Sequence, residues 1–339
     1  MPESFVPNLV HVVLHDCRAC ECLPPFGLLP CLKILKIDGL SAVKSIGSEF
    51  YGGSNNTNVS SFLSLESLTI AHMFGLVEWS DQVSSSPSFS SFPRLEELVE
   101  KCPKLTLMPH RFPSLKTSCF ECCNGNSVSS LVEWNEFVSS LTSIEISGCD
   151  EFVSLPLGFL RGNKILRRLK IVHCEKFKGF SGNIDLEDGN KENEFSDQVI
   201  IPNNAISELV LMNCGPSNIC LDFRGFDSLW NLQILFRKSE DCISGKEYVI
   251  KRKTGIECLP KLETLKIGVY SGNLVADPFP FPEADIKEEN GSVTGNYFPS
   301  LRELTLWGWT ELECVLNYVL TNSADKSFLF FGGSARVVG

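Results

Sequence analysis

No stretch of this 339-residue chain approaches the roughly 18 uncharged apolar residues that a membrane-spanning helix needs. Its start, Met1-Pro2-Glu3-Ser4-Phe5, lacks the basic and then apolar run of a secretory leader. Both absences give a cytoplasmic chain as the expectation. Positive charge is also short: 30 Lys and Arg against 41 Asp and Glu leave a net charge of -11. That excludes a general binder of nucleic acid or of anionic membranes, since both need a basic surface. Histidine is scarce, five residues without a cluster, and HExxH, GxSxG and the glycine-rich dinucleotide fingerprint are all missing. The sequence is therefore read as a non-enzyme, with no catalytic residue and no cofactor.

Cysteine is the exception to this scarcity, with 15 residues. They are spread along a long chain with no leader, so reduced thiols are expected rather than a disulfide scaffold. Two clusters have something of a metal-ligand spacing: Cys17-Arg18-Ala19-Cys20-Glu21-Cys22 with His15 nearby, and Cys119-Phe120-Glu121-Cys122-Cys123. Zinc needs four converging ligands, usually from two paired knuckles. Cys17, Cys102, Cys123, Cys149, Cys174 and Cys214 instead recur at one position of a repeat, where a small thiol packs. No metal site is expected.

The repeat is LxxLxLxxL, clearest in Leu32-Lys33-Ile34-Leu35-Lys36-Ile37-Asp38-Gly39-Leu40. Apolar residues at its positions 1, 4, 6 and 9 recur in Leu9, Val12, Leu14, Cys17, in Leu65, Leu68, Ile70, Met73 and in Leu141, Ile144, Ile146, Cys149. They recur again from Leu166, Ile206, Leu262 and Leu301. Three rungs read as degraded: Leu95 and Leu98 lead to Glu100, with Cys102 one residue early; Leu115 and Phe120 flank Ser118; Leu232 and Leu235 lead to Arg237. Alternation at positions 4 and 6 is a short strand with one apolar face. A single rung cannot bury that face, but stacked rungs can, so successive strands should lie parallel over one core. Each buried framework aliphatic should contribute about 1.5 to 3 kcal/mol.

The expected fold is thus an α/β leucine-rich-repeat solenoid, a horseshoe with a concave parallel sheet of about eleven short strands and irregular loops or short helical turns on the convex side. Residues 1–316 form the repeat domain and 317–339 a C-terminal tail or imperfect cap. Uneven rung spacing assigns extra residues to insertion loops near 52–61, 80–91, 182–198 and 272–295, which are rich in Gly, Asn, Ser, Pro or acid.

The stretch Leu23-Pro24-Pro25-Phe26-Gly27-Leu28-Leu29-Pro30, the rung that follows it, and then Val43-Lys44-Ser45-Ile46-Gly47-Ser48-Glu49-Phe50-Tyr51-Gly52 resemble one family. It is the leucine-rich-repeat region of plant nucleotide-binding disease resistance proteins of the coiled-coil type. Phe62 to Trp79, and Phe92-Pro93-Arg94-Leu95 with Lys101-Cys102-Pro103-Lys104-Leu105, are similar to further segments of that region. The resemblance is specific from about residue 8 to 110 and generic from there to about 313. It implies the recognition module of an intracellular immune receptor, which binds a pathogen effector or a guarded host protein and restrains a nucleotide-binding switch domain. That domain is expected to be missing: no GxxxxGK[ST] occurs, and the Gly245-Lys246 pair has Glu240 where the first Gly belongs. The alternative is a non-immune leucine-rich-repeat scaffold or substrate adaptor.

A partner would meet the strand residues between framework positions, which must face away from the core. Their columns hold Lys36, Asp38, Glu145, Arg168, Lys170, Met212, Lys266, Glu303 and Trp307, a broad mixed surface suited to a protein. Trp307, Met212 and Arg168 are the expected anchors.

Overall fold

The computed structural model describes residues 6–53, 61–80, 90–109, 111–126, 128, 140–177, 179–181, 205–214, 223, 226–237, 255–270, 298–307, 327–331 and 334–338. Nearly all of the four expected insertion loops lies outside them. The chain divides into two compact units, residues 1–166 with 173–175, and residues 167–172 with 176–339.

The first unit contains β1 (His11–His15), β2 (Ile34–Asp38), β3 (Ser45–Ile46), β4 (Ser67–Ala71), β5 (Glu78–Trp79), β6 (Glu97–Lys101), β7 (Thr117–Glu121), β8 (Ser143–Ser147) and β9 (Ser154–Pro156). Six of these, β1-β2-β4-β6-β7-β8, form a parallel sheet in repeat order. Its register aligns the framework: Leu14 sits beside Ile37, Ile37 beside Ile70, Ile70 beside Glu100, Glu100 beside Phe120 and Phe120 beside Ile146. The second unit contains β10 (Arg168–Val172), β11 (Gly179–Ser181), β12 (Glu208–Met212), β13 (Asn231–Arg237), β14 (Thr264–Tyr270), β15 (Glu303–Trp307), β16 (Ser327–Phe331) and β17 (Ser334–Val338). Here β10-β12-β13-β14-β15 are parallel, while β17 pairs antiparallel with β15 and with β16. The eleven repeat strands, six in one unit and five in the other, are those of a leucine-rich-repeat solenoid.

Two backbone devices recur along the repeat, the second in seven rungs, while β13 and β14 run on through Phe236 and Val269. The carbonyl at position 2 accepts two N–H groups from the next rung, as Val10 O does from Lys33 (2.8 Å) and Ile34 (3.1 Å) and Trp230 O from Glu263 and Thr264 (both 2.9 Å). Position 8 is left-handed: Asp16, Gly39, His72, Cys122, Gly148, His173 and Asn213 all have φ between 51° and 76°. That residue turns the chain out of the strand, and its N–H reaches the last strand carbonyl of the next rung, as Asp16 N reaches Asp38 O at 2.9 Å and His72 N reaches Lys101 O at 3.0 Å. Asp, His and Asn are among the side chains that tolerate this region best, so the rungs can afford them there.

The connections are short, as their Pro content implies: a 3₁₀ turn at Phe26–Leu28, helices at Ser48–Tyr51 and Leu157–Gly162, and a 3₁₀ turn at Ile256–Cys258. Beneath the first unit's sheet, Phe62 and Phe92 stack at 5.0 Å, Phe50 meets Phe62 at 4.8 Å, and Phe92 meets Phe112 at 5.6 Å. Trp79 Nε1 donates to the Tyr51 hydroxyl at 2.9 Å, which satisfies two buried polar atoms within this aromatic core.

The rungs read as degraded are all strands. Rung nine keeps three of its four framework residues, and the sequence reading set it three residues late: Leu209 aligns with Leu232, so its framework is Leu229, Leu232 and Ile234, all buried, with Arg237 at position 9. In rung five, Ser118 occupies position 4 with its hydroxyl buried and without a hydrogen-bond partner. The missing residue of rung four is its left-handed one. Cys102 moves up into that place, and Glu100, fully buried, supplies a carboxylate oxygen to the Cys102 N–H at 2.6 Å. The β6–β7 ladder correspondingly ends at Glu100–Phe120, one pair short of the ladder that follows it.

Rung one differs in burial. Leu9, Val12 and Leu14 are only half-buried and Cys17 is exposed, whereas Leu32, Leu35, Ile37 and Leu40 have no exposed surface. β1 pairs with β2 on one side, and the aliphatic face of its rung stays partly open.

Candidate functional site

The open face of the sheet is built by the residues that the framework leaves outward, and the register stacks them in columns. In the first unit Lys36 is exposed beside Thr69, and Asp38 is half-buried between two histidines. His15 Nδ1 lies 3.3 Å from one Asp38 oxygen and His72 Nδ1 lies 2.7 Å from the other, so three consecutive rungs meet at one carboxylate. Glu145 is half-buried. The face also carries Lys101 and Glu121, which form an ion pair across the shortened β6–β7 ladder. That hydrogen bond holds the Lys101 ammonium above its ordinary pKa, with burial opposing it.

In the second unit Arg168 is exposed, and its Nε contacts Glu208 Oε2 at 3.1 Å. Asn231 Nδ2 donates to the other oxygen of Glu208 at 3.2 Å, and Gln233 Nε2 donates to Asn231 Oδ1 at 3.2 Å, which carries the network over three strands. Lys170, Met212 and Trp307 are half-buried. Lys266 and Glu303 are half-buried partners whose Nζ and Oε1 stand 3.7 Å apart. Other outward positions are nearly closed to water: Val172, Val210, Leu235 and Thr305 have at most 8% of their surface exposed. At Gly268 an added Cβ would fall 2.4 Å from the Trp307 carbonyl oxygen, so no side chain fits there.

Several residues of this face escaped the sequence reading. Lys101, Cys119 and Glu121 sit on rungs judged degraded, and Trp230, which is 43% exposed at position 2 of rung nine, was displaced by the shifted register. Leu229-x-x-Leu232-x-Ile234 was the signal that would have found Trp230. His72 was missed because position 8 follows the strand.

The repeated cysteines form a second system, on the inner side. Cys102 Sγ donates to Ile70 O, Cys123 to Glu100 O, Cys149 to Phe120 O, Cys174 to Ile146 O and Cys214 to Ile171 O, at 3.0 to 4.0 Å. Every acceptor is the position-6 carbonyl of the preceding rung. Burial pushes the Cys123 thiol up to about 11, with Cys149 beside it acting the other way. Burial and then the Glu100 carboxylate raise Cys102, while the hydrogen bond with the neighbouring thiol is the main cause for Cys149 and Cys174. Of the first expected cluster, Cys17 and Cys22 are exposed and Cys20 Sγ donates to Cys22 O at 2.9 Å. Among the described residues no group of three or more His, Cys, Asp or Glu could hold a metal ion. No described helix is long and apolar enough to cross a membrane.

The parallel ladder, the left-handed turn residue and the outward columns together define a leucine-rich-repeat protein. Over about half of its length the chain is similar to plant disease resistance proteins. It is 30% identical over 208 residues to the disease resistance RPP13-like protein 1 of Arabidopsis thaliana, covering 52% of this chain and 19% of that protein. A second Arabidopsis thaliana disease resistance protein is 32% identical over 144 residues, 42% of this chain and 10% of its own length. The disease resistance protein RGA2 of Solanum bulbocastanum is 29% identical over 162 residues, 46% of this chain and 16% of that protein. The aligned part thus spans a fifth or less of each of these relatives. No family model matches the chain.

Proposed function

We propose that this chain is the protein-recognition module of a plant intracellular immune receptor, binding a pathogen effector or a guarded host protein and restraining a nucleotide-binding switch domain. The observation that carries this reading is the register-aligned outward face of the strands within each unit. Its columns mix cations, carboxylates, a half-buried Trp307 and Met212 in parallel register, the composition of a protein-binding surface. Similarity to disease resistance proteins supports the immune context. Lys36, Asp38, Glu145, Arg168, Lys170, Met212, Lys266, Glu303 and Trp307 are the proposed contact residues.

The test is site-specific photocrosslinking from Lys36 and Lys266 in extracts of infected and uninfected leaf, with Lys104, away from the strand columns, as control. Crosslinks to a discrete protein from the two face positions, lost in the double variant Arg168→Ala/Trp307→Ala, support the reading. Crosslinks confined to Lys104 would move recognition off the sheet and overturn it.

A further inference from the structure

The sheet face of the second unit is charged against the trend of the chain. At positions 2, 3, 5 and 7 of its rungs stand five cations, Arg167, Arg168, Lys170, Lys266 and Arg302, against three carboxylates at 208, 263 and 303, although the whole chain has a net charge of -11. The cations concentrate around β10: the run Lys164-Ile165-Leu166-Arg167-Arg168-Leu169-Lys170, which leads into it, contains four and no acid. Lys164, Arg167 and Arg168 are exposed, and so is Ile165, at 47%.

Arg168 is also held in place. Glu208 takes its Nε and is itself bonded by Asn231, so the ion pair biases the guanidinium's orientation while further N–H donors remain for a second carboxylate. Such a bias lowers the entropy lost on binding. Trp230 belongs to the same column as Arg167: Ser207 N donates to Arg167 O at 2.9 Å and Trp230 N to Ser207 O at 3.0 Å. Two strand spacings separate the indole from the arginines, about 10 Å.

We propose that strand β10 and Trp230 form a docking site for an acidic, extended peptide segment of a partner protein. Carboxylates of the segment pair with Arg167 and Arg168, Lys170 adds long-range attraction, and an apolar side chain two or four residues away, on the same side of the segment, lies on Trp230, since an extended chain advances about 3.3 Å per residue and alternates its side chains. The proposal rests on the reading of this face as a protein-recognition surface and adds the chemistry of what is recognised. Charge complementarity chooses an acidic occupant over a basic or neutral one.

The experiment pans a random 12-residue peptide library on the full chain, then measures selected fluorescein-labelled peptides by anisotropy at two salt concentrations. Enriched peptides should be net negative and carry an apolar residue two or four positions from an acid, and their binding should weaken with salt. Arg167→Ser/Arg168→Gln should reduce affinity by about tenfold or more, and Trp230→Ala by several-fold, with Lys104→Glu, away from the strand columns, without effect. Unchanged melting curves separate these losses from unfolding. Neutral or basic consensus peptides, no enrichment, or acidic peptides indifferent to the arginine changes overturn the proposal. Non-acidic peptides whose binding is lost with Trp307→Ala would sink it while leaving the wider recognition reading intact.

Discussion

The carboxylate of Glu100, fully buried in the column between Ile70 and Phe120, accepts the backbone N–H of Cys102 at 2.6 Å. A charged residue in an aliphatic column looks like a defect, but the neighbouring chain explains it. Rung four has lost the left-handed residue that seven other rungs use to leave the strand, and Glu100 satisfies the N–H that the deletion brings to that place. The carboxylate and the deletion form one unit.

Glu100→Ile should therefore lower stability by about 1 to 3 kcal/mol, the cost of an orphaned buried N–H, despite restoring the repeat pattern. Glu100→Gln keeps an acceptor and should cost less. Inserting Gly between Lys101 and Cys102 should recover most of the loss in the Glu100→Ile background. Urea midpoints of the three variants and the wild type measure this. A Glu100→Ile chain as stable as wild type removes the compensation.

Ser118 tests the opposite case. Its hydroxyl is buried at a framework position without a partner. Ser118→Ala should leave stability unchanged or raise it by up to about 1 kcal/mol, because the burial cost of the hydroxyl disappears. A loss above that range, read from the same denaturation curves, would mean that Ser118 makes a structural contact.

Framework leucines should not be equivalent. Leu68→Ala, at a fully buried site, should cost about 2 to 5 kcal/mol, and Leu14→Ala on the half-buried first rung should cost clearly less. Equal losses in thermal melts would show that the edge strand β1 is as well packed as β4.

The five inner cysteines should resist alkylation near neutral pH while exposed Cys17, Cys22, Cys31, Cys122 and Cys258 react, as peptide mapping after iodoacetamide treatment would record. The raised pKa values of Cys102, Cys123, Cys149 and Cys174 also set a pH dependence. Below about 9 both folded and unfolded chains keep the thiols protonated. Between 9.0 and about 11 the unfolded Cys123 ionises and the folded one does not, so stability falls as pH rises, by about 1.4 kcal/mol per pH unit for one such group. Cys123→Ala should flatten that slope in urea titrations at pH 9 and 10.

The hydrogen bond from Trp79 to Tyr51 offers a local probe of the aromatic core. Tyr51→Phe should cost about 1 to 3 kcal/mol, since it leaves the buried indole N–H without its acceptor, and Trp79→Phe a larger amount through lost packing. A neutral Tyr51→Phe would mean that the indole finds another partner.

Much of the architecture was legible because a strand of period two written into a recurring LxxLxLxx frame admits one arrangement: parallel rungs with Leu35 and Ile37 inward and Lys36 and Asp38 outward. The inner cysteines were legible for the same reason, as residues fixed at one point of the frame. Rung four was misjudged because a frame read residue by residue treats Glu100 and the early Cys102 as two faults. Their joint sense appears only when a side-chain oxygen is seen to reach a backbone N–H. Rung nine was misjudged because Leu229, Leu232 and Leu235 fit the frame in more than one register. Pairing with β12 resolves the choice, and with it the place of Trp230.

The sequence by itself determined the repeat, the direction of the strands and which residues could face a partner, since these follow from local periodicity and the need to bury an aliphatic face. The tertiary structure alone decided which outward residues are available. Val210 and Leu235 are closed to water, Asp38 is shared by two histidines and Arg168 is held by Glu208, all through contacts between residues at least 23 positions apart, which no local pattern encodes.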